Sequence, residues 1–105
     1  MTIDLSDIDP TDPYYEPTVI NFMGGEAIVS FNSADISNFG KVDLDVSFDA
    51  NTAEDSWIHV KDVDQFSEVK DVNSPRYHLI KLRNCKLRFN VTQSTVGDDV
   101  RVIIT

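Results

Sequence analysis

Two histidines, one cysteine and a surplus of carboxylates are the groups of this 105-residue chain with an obvious capacity for chemistry. Nucleophilic catalysis needs a serine or cysteine, a histidine base and a carboxylate that orients it. His59 and His78 are the candidate bases, and both fall inside predicted strands. Cys85 falls on an apolar strand face, where a thiol acts as a small hydrophobe with a raised pKa. No Gly-x-Ser-x-Gly elbow occurs. Asp43 and Asp45 share one face of a strand, but glycosidase chemistry needs its two carboxyls inside a cleft. An outward strand face kept soluble by charge is the expectation there.

Metal and ligand sites fare little better. Zinc takes four nitrogen or sulfur ligands, and His59, His78 and Cys85 offer three without a recognisable spacing. Asp49, Asn51, Glu54 and Asp55 gather calcium-type oxygen ligands in one turn. That turn lacks the glycine and distal glutamate of an EF-hand loop, and Asx-rich turns form for backbone reasons alone. Gly24-Gly25 has no Lys-Ser/Thr after it, so it is not a phosphate loop. Asn90-Val91-Thr92 fits a glycosylation pattern but lies within a strand. Trp57, Tyr77 and His59 could offer an aromatic platform to a sugar ring, although a large aromatic in a small domain is usually part of its core. The sequence thus predicts a protein that is not an enzyme and needs no cofactor.

The elements that would position these residues are strands. Val42, Leu44, Val46 and Phe48 alternate with polar residues, as do Cys85, Leu87, Phe89 and Val91, and Val100, Val102 and Ile104. Period two is the mark of half-buried strands. Weaker runs cover Thr18–Phe22, Glu26–Asn32, Ser56–Val63 and Tyr77–Leu82. Gly24-Gly25 reads as a hairpin turn, Asn38-Phe39-Gly40 as a break, and Asn73-Ser74-Pro75 and Gly97-Asp98-Asp99 as turns. Apolar parity flips between Ile80/Leu82 and Cys85/Leu87, which predicts either a tight turn at Arg83-Asn84 or a bulge. Helical spacing is weak: one turn at 33–38 and a faint pattern over 62–72. The expected fold is all-β: an antiparallel β-sandwich, jelly-roll-like, or a squat barrel, of seven or eight strands.

Residues 1–17 stand apart, with Asp4, Asp7, Asp9, Asp12, Glu16 and three prolines and no basic residue. They predict an extended acidic arm before a single domain at 18–105. Tyr14 and Tyr15 are its candidate contact residues, since tyrosine gives contact area at low entropic cost. The chain carries 18 acidic and 9 basic residues, net −9, the wrong sign for replacing counterions on nucleic acid or anionic lipid. One cysteine permits no internal disulfide. No leader-like apolar run opens the chain and no membrane span is apparent, so a cytoplasmic site of synthesis is expected.

Charge is divided along the chain. Residues 1–75 hold 16 acidic and 3 basic residues, net −13, while residues 76–105 hold 2 and 6, net +4. The basic set is Arg76, Lys81, Arg83, Lys86, Arg88 and Arg101. Two readings follow. The acidic and basic strands are neighbours in one sheet and pair across it. Or they lie on opposite sides, so that copies attract one another head to tail and close into a ring. On the second reading the basic set, with Tyr14 and Tyr15, forms the partner-binding surface.

A proline-bearing acidic arm before a compact antiparallel domain without catalytic residues resembles the small accessory proteins of bacteriophage virions. These include decoration or cement proteins of capsid shells and small head–tail components. The resemblance implies a structural role in the virion, assembly in the host cytoplasm, and self-association as a trimer or ring bound to a capsid shell. A carbohydrate-binding or adhesion module is the alternative, using Trp57 and Tyr77 with the calcium turn. A small acidic regulator of a basic partner is the third.

Overall fold

A computed structural model describes residues 1–48, 56–60 and 77–105. Among them are eight strands: β1 (Thr2–Asp4), β2 (Val19–Phe22), β3 (Gly25–Asn32), β4 (Lys41–Ser47), β5 (Ile58–His59), β6 (Tyr77–Leu82), β7 (Cys85–Gln93) and β8 (Arg101–Ile104). They form two antiparallel sheets, in the orders β1-β8-β3-β6 and β2-β7-β4-β5. The two remain separate, so the squat-barrel alternative is set aside. The calcium candidates Asp49, Asn51, Glu54 and Asp55, the turn at 73–75, the faint pattern at 62–72 and Arg76 lie outside the described residues.

The two sheets share one core. Ile3, Ala27, Val29, Phe31, Ile80 and Val102 come from the first sheet. Ile20, Val42, Leu44, Val46, Cys85, Leu87, Phe89 and Val91 come from the second. Phe31 is the hub. Its ring meets Phe39 edge-on at 5.4 Å, His78 at 6.1 Å and, across the sheets, Phe89 at 6.4 Å. Such edge-to-face pairs add about 0.5–1.5 kcal/mol each beyond the area they bury.

Gly24-Gly25 is not a hairpin turn. β2 and β3 lie in different sheets, and so do β6 and β7. Instead, β2–β3 and β7–β6 run as one two-stranded ribbon that bends from the second sheet into the first. Register carries across the bend without a shift, with Phe22 opposite Cys85 on one side and Gly25 opposite Leu82 on the other. Gly24 and Gly25 have φ of 95° and 102°, which a side chain disfavours. A Cβ on Gly24 would lie 3.0 Å from the Asn84 nitrogen. The parity flip at Arg83-Asn84 is therefore a corner, where the inward face changes from even-numbered to odd-numbered residues.

Residues 1–8 pair with the domain, so the extended arm is not confirmed. β1 pairs with β8, placing Ile3 opposite Val102. Past it, Leu5 N–H donates to the Val100 carbonyl at 2.7 Å and Thr95 N–H to the Ile8 carbonyl at 3.1 Å. Thr95, itself buried, accepts from Ile8 N–H at 2.9 Å and donates to the Leu5 carbonyl. Ile3 and Leu5 are buried because β8 and the 95–100 segment cover them. Three apolar residues alone could not have held the segment.

The acidic residues of this segment are turn-makers. Asp4 Oδ1 accepts from the backbone N–H and hydroxyl of Ser6, and Asp9 Oδ1 from those of Thr11. Asp35 does the same with Ser37. Hydrogen bonds from the Ser6 and Thr11 hydroxyls, then from the backbone, hold the Asp4 and Asp9 carboxyls below the usual range.

Gly40 has a different constraint. A Cβ there would sit 2.2 Å from the Ser94 carbonyl oxygen and 2.7 Å from that of Gln93. Both are backbone atoms that cannot swing away. Gly40→Ala should force β4 off the end of β7 at a cost of about 1–3 kcal/mol, a drop in Tm of roughly 10 °C. Thermal unfolding followed by circular dichroism measures it, with Gly25→Ala, where no atom lies within 4 Å of the added Cβ, showing the cost of φ alone.

Candidate interaction surfaces

Each sheet has an inner face in the core and an outer face, and the two outer faces differ. On the second sheet, β4 turns Asp43, Asp45 and Ser47 outward and β7 turns Lys86, Arg88 and Asn90 outward. In register, Asp45 stands opposite Arg88, Asp43 opposite Asn90 and Ser47 opposite Lys86. The acidic strand and the basic strand are neighbours in one sheet. Of the two readings of the divided charge, the cross-strand pairing is the one seen.

Asp45 is not a solvated outward carboxylate. Arg88 Nε donates to Asp45 Oδ2 at 2.9 Å, and both side chains are buried, 8% and 2% exposed. The Trp57 ring lies over the guanidinium at 4.4 Å from its centroid, a cation–π contact of about 0.5–2 kcal/mol. Ser47 is buried too, its hydroxyl 3.4 Å from that of Ser56. Taking two charges out of water costs several kcal/mol per ion, which this pair's geometry and the aromatic lid have to offset.

The predicted contact residues separate accordingly. Arg88 is corrected: it is an internal ion-pair partner and is not presented to another molecule. Tyr15 is corrected as well. It is half-buried, its hydroxyl accepts from Val91 N–H at 2.7 Å and donates to Asn90 Oδ1 at 3.3 Å, and burial raises its pKa. Tyr14 is 90% exposed. Lys81 is exposed on β6 and Lys86 half-buried on β7. The Arg83 guanidinium lies 4.3 Å over the Phe48 ring. Arg101 Nε lies 3.3 Å from Asp99 Oδ1 at the surface. These side chains are spread over both sheets and the corner between them, and do not form one basic patch.

The chemical candidates are dispersed too. His78 points into the core against Phe31, where burial lowers its pKa. Burial raises the pKa of the Cys85 thiol on β7. Among the described residues no three His, Cys, Asp or Glu side chains are grouped to hold a metal ion. An open groove of about 550 Å³ runs between the edge strands β1 and β2, lined by residues 1–4 and 18–21, with Asp4 its one acidic side chain. It holds no histidine, cysteine or serine. Trp57 and Tyr77, the proposed sugar platform, belong to the outer faces of different sheets.

The outer face of the first sheet was not singled out by sequence. β3 turns Glu26, Ile28 and Ser30 outward, β6 turns Tyr77, Leu79 and Lys81 outward, and β8 turns Arg101 and Ile103 outward. Leu79 stands opposite Ile28, and Tyr77 opposite Ser30, which in turn stands opposite Ile103. Tyr77 and Leu79 are each 64% exposed and Ile28 43%. The signal was present, since Ile28 and Leu79 break the polar phase of their strands, but only the register makes them adjacent. Set beside known protein families, curated proteins and solved structures, the chain matches none of them.

Two measurements check these assignments. Arg88→Ala leaves Asp45 buried without its cation and should cost about 3–5 kcal/mol, whereas Asp45→Leu/Arg88→Met together should recover most of it. Denaturant unfolding of the singles and the double closes that cycle. His78 is held neutral by burial, so the unfolded chain binds its proton first as pH falls. Its contribution to stability is complete above the ordinary histidine range of about 6.5 and is lost as pH drops through its lowered folded value. Tm measured between neutral pH and about pH 5 should fall in the wild type and fall less in His78→Leu.

Proposed function

We propose that this chain is a non-enzymatic structural protein that assembles with copies of itself and with a larger shell, in the manner of bacteriophage capsid decoration or cement proteins. On this reading it works in the virion and assembles in the host cytoplasm. We further propose that its two sheets make a jelly-roll sandwich. The support is the pairing: β1 with β8, β2 with β7, β3 with β6 and β4 with β5, one long hairpin wound on itself. Jelly rolls serve viral capsids, and also lectins and cupins, so the winding alone does not choose a role.

The observation that carries the functional reading is the contrast between the outer faces. One is covered by Trp57 over the Arg88–Asp45 pair, with Val19 alone as an exposed apolar residue of its β2 edge. The other carries Ile28, Tyr77 and Leu79 exposed on a rigid ladder. Exposed apolar side chains in contact, with a polar rim, mark protein–protein surfaces. The carbohydrate reading loses its platform, because Trp57 is engaged with Arg88 and Tyr77 is on the other sheet.

Light scattering is expected to give a mass above the 11.8 kDa of one chain at high protein concentration. A glycan array, with and without chelator, is expected to be blank. A strict monomer that binds a glycan in a chelator-sensitive way overturns this reading.

A further inference from the structure

We infer that the outer face of β3, β6 and β8 docks on the same face of a second copy of this chain. The inference rests on the assembly reading and names the surface that performs it. The centre of the face is apolar: Ile28 and Leu79 stand directly opposite one another, with Tyr77 and the half-buried Ile103 flanking Ser30.

Charge selects the occupant. The whole chain carries −9, so two copies repel over most approaches. This face is nearly balanced. Glu26 stands opposite Lys81 at one end, and Asp4 stands opposite Arg101 at the other. Arg101 also lies beside Asp99, so the face and its rim carry three anions and two cations, and two identical faces meet with far less like charge than the chain as a whole carries. A strongly basic partner would find little net charge to bind here, and a strongly acidic one equally little. A second copy suits a self-complementary surface of this kind, related by a twofold axis through the face.

Area sets the strength. The strands β3, β6 and β8, of 8, 6 and 4 residues and about 4.8 Å apart, present roughly 300 Å² per copy. A standard stable interface takes about 800 Å² per partner. The contact is therefore weak by itself, forms at high protein concentration, and serves as one seal among several when copies are held side by side on a larger assembly.

The sign of the salt effect follows. The contact is apolar and the repulsion between copies is long-range, so screening favours association. At about 1 M NaCl, where the Debye length is about 3 Å, the dimer should be as strong as at low salt or stronger.

Sedimentation equilibrium of the full chain over a range from micromolar to millimolar tests this. The expected result is a monomer–dimer equilibrium that salt does not dissolve. Leu79→Lys and, separately, Ile28→Lys should each weaken it at least about tenfold. Val19→Lys, on an exposed apolar residue of the other sheet, should leave it unchanged. Circular dichroism confirms that the variants fold, as expected for side chains that point outward. A chain that stays monomeric throughout, a dimer dissolved by salt, or a dimer indifferent to both Leu79→Lys and Ile28→Lys overturns the inference. The last outcome leaves the assembly reading standing on another surface, whereas chelator-sensitive glycan binding by a monomer removes that reading itself.

Discussion

A two-stranded ribbon that bends from one sheet into the other without changing register is the constraint on which the remaining structure depends. Along a strand, inward and outward residues alternate strictly, so the inward set is fixed by parity. At the corner that parity must invert on both strands together. It does: Ile20 and Phe22 precede Ala27, Val29 and Phe31, while Ile80 and Leu82 precede Cys85 and Leu87. Two glycines with positive φ take up the bend on one strand, and Arg83-Asn84 follows it on the other. A slip of one residue in either half would turn the whole of its apolar set to solvent. The bent ribbon places β7 and β3 inside their sheets, and β4 and β8 then add to the strand edges that remain.

The ion pair is a consequence of that placement. With β4 beside β7, the acidic strand of the first half of the chain meets the basic strand of the second, and a charge division of −13 against +4 along the sequence becomes partly local in space. Burial makes this pair a matter of fold specificity more than of net stability. An apolar pair of the same volume would serve as well energetically, but Arg88 and Asp45 are satisfied only when those two positions are opposite. A shift of β4 along β7 would leave both charges buried without their partners. The pair thus fixes the same register that the apolar parity allows in steps of two.

The strands themselves were legible, because alternation is local. β4, β6, β7 and β8 lie where period two puts them. What alternation cannot tell is a turn from a corner, since both show a glycine pair or a parity break between two apolar runs. That is why Gly24-Gly25 read as a hairpin. Nor can it tell what covers an outward face: Asp45 has the sequence context of a solvated carboxylate and is buried against Arg88, whose guanidinium lies under Trp57. The acidic start is ambiguous in sequence for a related reason. Charge and proline suggest an unattached arm, but Asp-x-Ser and Asp-x-Thr at 4–6 and 9–11 are local turn signals, and the partners of Ile3 and Leu5 lie some ninety residues away. Tyr15 followed the same pattern, its hydroxyl taken up by Val91 and Asn90.

Under the proposed self-association, an acidic chain meeting its copies through an apolar face would have a specificity that contact area alone would not provide. Among the described residues, Arg88 is spent on Asp45, Arg83 stacks on Phe48, and Arg101 lies beside Asp99. The other described cations, Lys41, Lys81 and Lys86, lie on three different strands. Repulsion then acts on nearly every orientation of two copies, and is weakest where charges of both signs alternate around an apolar centre. Discrimination arises from disfavouring the wrong encounters as much as from favouring the right one. On the proposed assembly, the same repulsion would keep a modest patch from causing indiscriminate aggregation before a larger body gathers the copies, because the patch is too small to overcome net charge at low concentration and needs only proximity to close.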